Sequence, residues 1–371
     1  VITVGVMVPG SGPLAAFGKS VLDGQSAYWS YVNTVLGGVG GQYEVQVEDF
    51  DHRYDVEEAM AGFRDLSTSV IGISGALGSL VDEALAPTLS ELGILMVAGS
   101  LSSEWAGSGS ILPNALIPTY RDQVAAGMGW AAEDAQAGPA AILFQEGGYG
   151  EDCALGYDRA VDEFGFTNVG RVGHAPGATD FGGAVQQLDN SQATTVVVCS
   201  TPDALIRIIA TAGSLGYQPR WLVSIQSFDS SIPPALGGDE GVQQGLAELA
   251  DTAVLGAGPG SDSPAALLRD EILVDVANPD WYTMFGYAQA ATFHLILEEA
   301  LEASDLTRAG LQAAVQRLDA IDMGLGGPTS SLSGPVPVTA AAVGAITEES
   351  IEHLFGIPAS EPYFETPFSD S

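Results

Sequence analysis

A repeated alternation of short apolar runs with longer amphipathic stretches constrains this chain more than any other feature. Strands that feed crossover helices write that pattern, and it implies parallel sheets flanked by helices. The unit recurs four times in the first part of the chain. Ile2 to Val8 reads as a strand. Lys19 to Leu36 reads as a helix that buries Val21, Tyr28, Tyr31, Val32 and Val35 and stops at Gly37 and Gly38. Tyr43 to Phe50 is the second strand, with Val45 and Val47 alternating against Glu44, Gln46 and Glu48. Asp55 is placed to cap the next helix, Glu58 to complete a capping box, and Val56, Met60, Phe63 and Leu66 to form the buried face. Val70 to Ile73 is the third predicted strand. Ser79 then opens a helix with Asp82 as its N3 partner and Pro87 in its interior, where a kink is expected, and Ile94 to Ala98 is the fourth strand.

The Ser-, Gly- and Pro-rich stretch SEWAGSGSILPNALIPTY interrupts this rhythm and sets a boundary near Pro118. The rhythm restarts with strands at Ala140 to Phe144, Val169 to His174, Thr195 to Cys199 and Trp221 to Ile225, and a helix at Asp203 to Leu215. Two α/β units in tandem result, alike in architecture and not in sequence. Helices at Tyr282 to Ala303 and Arg308 to Leu318 follow, then a tail of short apolar runs that fits a chain recrossing between lobes. The length of 371 residues suits two lobes, at about 150 residues per domain.

Charge excludes whole classes of partner. Eleven Lys and Arg stand against 47 Asp and Glu, a net charge of −36, and Lys19 is the only lysine. Nucleic-acid backbones and anionic membrane surfaces both require cationic side chains, so neither is an expected partner. Apolar residues at 46% against charged residues at 16% mark a folded globule with an acidic skin. No run of about 20 apolar residues is present to span a bilayer. The opening VITVGVMVPG reads directly as a strand without the features of a secretory signal, as expected of a mature or trimmed chain. Cys153 and Cys199 form no CxxC pair, which excludes zinc ribbons and thioredoxin-like chemistry. Two readings stay open for them: one disulfide in an exported protein, or two inert buried thiols.

No catalytic set emerges. GSGPLA, Gly10 to Ala15, matches a dinucleotide fingerprint, but the acidic partner would be Asp49 or Asp51, too far along the chain, and Pro13 removes a backbone donor. A plain turn is the preferred reading. There is no nucleophile elbow, Walker A loop or zinc-protease helix. His52, His174, His294 and His353 are dispersed, and His294, between Phe293 and Leu295, is expected in the core. Glu48, Asp49 and Asp51 lack the spacing of a calcium loop and read as a solvated rim. No metal or cofactor is expected. What the chain does offer is Gly-, Ser- and aromatic-rich loops at the carboxyl ends of strands, where open α/β sheets bind ligands. In the first lobe these are PGSGPLAAFG, SGALGSLVDEALAP and AGSLSSEW; in the second, FQEGGYGEDC, CSTPD and SIQSFDSS. Two such rims facing one another would make a cleft.

The ordered set GVMVPGSGPLAAFGKSVLDGQSAYW, GALGSLVDEALAPTLSELGILMVAGS, AILFQEGGYGEDCALGYDRAVDEFG and GYAQAATFHLILEEALEASDLTRAGLQAAVQRL resembles the type I periplasmic solute-binding proteins of the leucine/isoleucine/valine-binding group, over nearly the whole chain. The resemblance implies two Rossmann-like lobes joined by a three-stranded hinge, residues 1–119 plus 251–327 and residues 120–250 plus 328–371. It implies a flytrap that closes around a small solute and delivers it to the permease of an ABC importer, as an extracytoplasmic monomer and not an enzyme. Carried over residue by residue, a carboxylate clamp falls on Ser79, the Leu101 backbone and Ser102, the last in place of a threonine. Ser79 has a plainer reading, as a helix cap. Phe17 and Tyr149 fall at aromatic walls, with core packing the alternative for each; Thr201 and Phe228 lie on neighbouring loops. Where amino-acid binders of the group place an acid to receive the ligand ammonium, Gln226 stands here, with Asp229 the substitute if the loop is shifted. A neutral amide cannot neutralise a buried ammonium, which points to a carboxylate without one, or to a neutral amide. In the usual sheet order, Cys153 and Cys199 sit at the carboxyl ends of neighbouring strands and can form a disulfide. The competing functions are a cytosolic ligand-sensing regulator of the same fold and a nucleotide-dependent oxidoreductase using Gly10 to Ala15.

Overall fold

A computed structural model describes residues 1–12, 14–105, 109–112, 119–134, 137–227, 253–256, 271–277, 279–318, 342–345 and 364–365. By its internal contacts the chain divides into two compact units, Val1–Ile117 with Pro259–Pro337, and Pro118–Gly258 with Val338–Ser371, so it passes between them three times.

The first unit holds a parallel sheet of strands β1 (Ile2–Val8), β2 (Val45–Asp51), β3 (Ile73–Ala76), β4 (Met96–Val97) and β5 (Ile111–Leu112), in the order β2-β1-β3-β4-β5. Its helices are α1 (Ala15–Thr34), α2 (Val56–Leu66), α3 (Ser79–Leu92), and, late in the chain, α8 (Trp281–Glu302) and α9 (Arg308–Val315). The edge strand β2 is only partly buried along most of its length, whereas β3 in the interior is buried at every position, as a sheet covered on both faces requires. On one face α2 and α3 close a core of Phe63, Leu66, Val81, Leu85 and Leu89 against Ile73 and Met96. α1 and α8 pack together, and α8 lies against β3 and β4.

The second unit repeats the plan. Strands β6 (Pro139–Gln145), β7 (Thr167–His174), β8 (Thr195–Cys199), β9 (Arg220–Ser224) and β10 (Ala253–Gly256) run parallel in the order β7-β6-β8-β9-β10. β11 (Ala342–Ala345) and β12 (Phe364–Glu365) add antiparallel at the β10 edge. The helices are α4 (Tyr120–Asp134), α5 (Gly148–Phe164), α6 (Gly182–Ser191) and α7 (Pro202–Leu215).

Most predicted elements appear where the periodicity puts them, and Asp55 caps α2 by accepting the Glu58 N–H at 2.9 Å. The third strand does not. It runs over Ile73–Ala76, because the preceding apolar residues are used to close α2: the Val70 N–H bonds to the Leu66 carbonyl at 3.1 Å. The fourth is cut to Met96–Val97, since the Ile94 N–H still bonds to the Leu89 carbonyl at the end of α3.

Candidate functional site

In each unit the first and third strands along the chain, β1 with β3 and β6 with β8, are neighbours whose following helices leave to form different layers, and ligands of such sheets bind at the carboxyl ends around that switch. In the first unit the loops there follow β1, β3 and β4. α3 starts on Gly78, whose φ of +130° is open only to glycine, so no side chain caps this helix. Ser79 is therefore not the N-cap, as its plainer reading had it, but the first helical residue, and Asp82 is the fourth. The Ser79 hydroxyl meets the Ser100 hydroxyl at 2.9 Å, and Ser100 Oγ also accepts the Ser102 N–H at 3.2 Å. Ser100 is drawn against α3 by Gly99: a Cβ there would lie 2.4 Å from the Leu77 Cα, so the loops after β3 and β4 touch backbone to backbone. Ser79, Leu101 and Ser102 are thus brought together, buried, around Ser100.

The sequence gives no hint of what fixes these loops. Asp82 is fully buried and accepts the Ser100 N–H at 2.8 Å. Burial drives its carboxyl well above the usual carboxylate range, against the pull of the Ser100 and Gly99 N–H groups. From α8, the buried Gln289 donates to the Ala76 and Ala98 carbonyls, both at 2.9 Å, tying the ends of β3 and β4. Asp51, half-exposed on the acidic rim, also ties two loops together. It accepts from the Ser11 N–H and hydroxyl at 3.1 and 2.7 Å and from the Arg53 N–H at 2.9 Å, stapling the loop after β1 to the end of β2. Burial alone would raise its pKa, but these hydrogen bonds prevail and hold it below the ordinary range. The buried Phe17 ring stacks on Tyr282 with centroids 4.1 Å apart.

In the second unit the loops follow β6, β8 and β9. Tyr149, in the first turn of α5, is buried edge-on against Tyr120, at 4.7 Å between centroids. Its hydroxyl sits among the Ser224 hydroxyl, the Ser227 hydroxyl at 3.2 Å and the Ser200 carbonyl at 3.3 Å. Ser200 is held in turn by His174, whose Nε2 lies 2.8 Å from the Ser200 Oγ while Nδ1 lies 3.0 Å from the Ala175 carbonyl. A serine paired with a histidine resembles a nucleophile and its base. Here a backbone carbonyl takes the place of an orienting acid, Ser200 is 1% exposed, and burial lowers the His174 pKa, so the pair acts as a structural tie. Thr201 caps α7 by accepting the Ala204 N–H. Gln226, in the 3₁₀ turn Ile225–Ser227, has both amide heteroatoms buried with no hydrogen-bond partner among the described residues. Phe228 and Asp229 lie outside the described residues. Cys153 and Cys199 form a disulfide; Cys199 ends β8 as expected, but Cys153 sits within α5 and not at a strand end. Among the described residues no three His, Cys, Asp or Glu side chains gather as metal ligands.

Residues 1–348 match the family described as periplasmic binding protein. A Leu/Ile/Val-binding protein homolog from Brucella melitensis is 26% identical over 198 residues, 53% of this chain and 53% of that protein, so the match spans about half of that relative. Among solved structures, a fatty acid ABC transporter substrate-binding protein from Thermomonospora curvata superposes with a TM-score of 0.83 at 23% identity, covering 99% of this chain and 92% of that one. A solute binding protein of an ABC transporter from R. palustris, in complex with 4-hydroxybenzoate, gives 0.76 at 19% identity, covering 99% and 97%. At such identities the structural likeness establishes the fold.

Proposed function

The chain belongs to the periplasmic binding protein family, and on that premise we propose that it captures a small amphipathic carboxylate for an ABC importer. The observation that carries this reading is the cluster of the Ser79 and Ser100 hydroxyls and the Ser102 N–H at the uncapped start of α3. The N-terminus of a helix is the positive end of its dipole, worth about 0.3–2 kcal/mol to an anion placed there. That local field acts at contact range, while the −36 net charge acts through solvent and is screened within about 10 Å. Ser79, the Leu101 backbone and Ser102 form the clamp.

The remaining contacts set the ligand class. Phe17 on Tyr282 offers an apolar wall from the first unit, and Tyr149 and Thr201 are the contacts from the second. The Gln226 amide lacks partners among the described residues, and such a buried orphan costs about 1–3 kcal/mol until something pairs with it. A carboxamide can pair with a hydroxyl, carbonyl or carboxylate of the solute but cannot neutralise an ammonium. The favoured solute is therefore a branched or aromatic organic acid, ahead of a zwitterionic branched-chain amino acid. The solute would bridge both units and favour a closed state that the permease recognises. The Cys153–Cys199 disulfide supports an extracytoplasmic address, because such bonds persist in oxidising compartments.

A thermal-shift panel of L-leucine, L-valine, 4-methylpentanoate, 4-hydroxybenzoate, octanoate and 4-methylpentanamide tests this reading. A carboxylate should raise the melting temperature, by the equivalent of about 2.7 kcal/mol at roughly 100 times its Kd. Ser79→Ala with Ser102→Ala should weaken that carboxylate at least about tenfold, ~1.4 kcal/mol, with the fold intact. Gln226→Glu should shift preference toward L-leucine over 4-methylpentanoate. Silence across the panel, or an unaffected double variant, would sink the proposal.

A further inference from the structure

We propose that Asp82 is a positioning residue for carboxylate capture, holding the loop after β4 in the one shape that gathers Ser79 and Ser102. The inference rests on the function proposed above and extends it to a residue that would not touch the solute. Asp82 accepts the Ser100 N–H at 2.8 Å. Ser100 then spends its own hydroxyl on both clamp members, meeting Ser79 Oγ at 2.9 Å and the Ser102 N–H at 3.2 Å. A single buried acceptor thus fixes the residue on which the other two converge.

An acid is an expensive choice for this place. Val81, Leu85, Met96 and Ala98 belong to the same buried cluster around the start of α3, and Asp82 itself is 0% exposed. None of the ion pairs among the described residues includes it. If the position served packing alone, a leucine would fill it without the desolvation penalty of a carboxyl. Burial, with Glu83 and Glu104 adding to it, pushes the carboxyl toward its neutral form. In that form it still accepts from Ser100, and it places no negative charge behind a cluster meant to receive an anion. A lysine or arginine in its place would attract the anion but has no acceptor for the Ser100 N–H.

Two substitutions in the full chain separate anchoring from packing. Asp82→Asn keeps a neutral acceptor of the same shape; Asp82→Leu keeps the bulk and removes the acceptor, and Asp82→Ala carries the same test should the leucine variant not fold. Amide hydrogen exchange without solute should leave Ser100 and Ser102 as protected in Asp82→Asn as in the parent and expose both in Asp82→Leu. Binding of 4-methylpentanoate and 4-hydroxybenzoate should stay within about threefold in Asp82→Asn and weaken at least about tenfold in Asp82→Leu. Binding of 4-methylpentanamide should change less. Unchanged protection of Ser100 in Asp82→Leu, or equal damage from Asp82→Asn, overturns the assignment. Failure of all three compounds to bind the parent protein would instead count against the proposed function, while the exchange measurement still decides the role of Asp82.

Discussion

His294 shows how single residues of this protein hold charge out of its interior. It is buried between α8 and α1, with Tyr28 donating to Nδ1 at 3.0 Å and Nε2–H donating to Glu298 Oε1 at 3.0 Å, and Glu298 also accepts the Gly40 N–H at 2.8 Å. Burial lowers its pKa, and the Glu298 carboxylate offsets only part of that. The sign of the consequence follows from linkage. Below the ordinary histidine value of about 6.5 the unfolded chain binds a proton that the folded chain resists, so the contribution of His294 is complete above that pH and is lost as pH falls. The melting curve of the whole protein would mix this with relief of carboxylate repulsion, since the net charge is −36. A difference measurement removes that background. His294→Gln should lower the melting temperature more at about pH 8 than at about pH 5, with the gap closing by no more than about 1.4 kcal/mol per pH unit. A gap that widens toward acid would contradict a neutral His294. Its core placement was legible from Phe293 and Leu295 on either side, whereas its partners were not, because Tyr28 lies 266 residues away in sequence. The clamp serines divide the same way. Ser79, Leu101 and Ser102 were singled out by the resemblance to the leucine/isoleucine/valine-binding group, but Asp82 looked like half of a local capping motif, and only the fold shows that it serves Ser100.

At the scale of elements, period gave the helices and strands, while ends and crossings depended on backbone contacts that no period encodes. The apolar run Val70 to Ile73 holds the close of one helix and only the start of the next strand, and an apolar run does not state which hydrogen bonds its residues make. The crossing of α1 and α8 is a sharper case. A Cβ at Gly24 would sit 2.0 Å from the Thr283 carbonyl oxygen, and one at Gly286 would sit 2.0 Å from that of Val21. Glycine inside a helix ordinarily costs about 1 kcal/mol against alanine, so replacing it should stabilise unless space forbids. Here space forbids, because the obstacle is backbone and the helices must part. Gly24→Ala and Gly286→Ala should each destabilise by about 1–3 kcal/mol in denaturant melts. Gly213→Ala on α7, where a Cβ meets nothing within 4 Å, should be neutral or stabilising. A stabilised Gly24→Ala would mean that the two helices do not meet at this point.

For the molecule as a whole, two units each carry five parallel strands in the same order and a core of their own, with two antiparallel strands added in the second. That plan was readable because central strands such as β8, buried at every residue, leave continuous apolar runs between amphipathic helices. The covalent reinforcement, however, is unequal. Among the described residues the disulfide belongs to the second unit alone, joining α5 to the end of β8 across 46 residues of sequence. In the chain-entropy account, closing a loop of that length removes about 4 kcal/mol worth of freedom from the unfolded state, and the benefit accrues only to the unit whose unfolding would open the loop. Cys153→Ser with Cys199→Ser should therefore speed amide exchange in β6 and β8 by sub-global opening, while exchange in β1 and β3 stays near the parent rate. Equal acceleration in both sheets would show that the two units unfold as one cooperative body. No acceleration in either would show that native packing between α5 and β8 already holds the second unit without the bond.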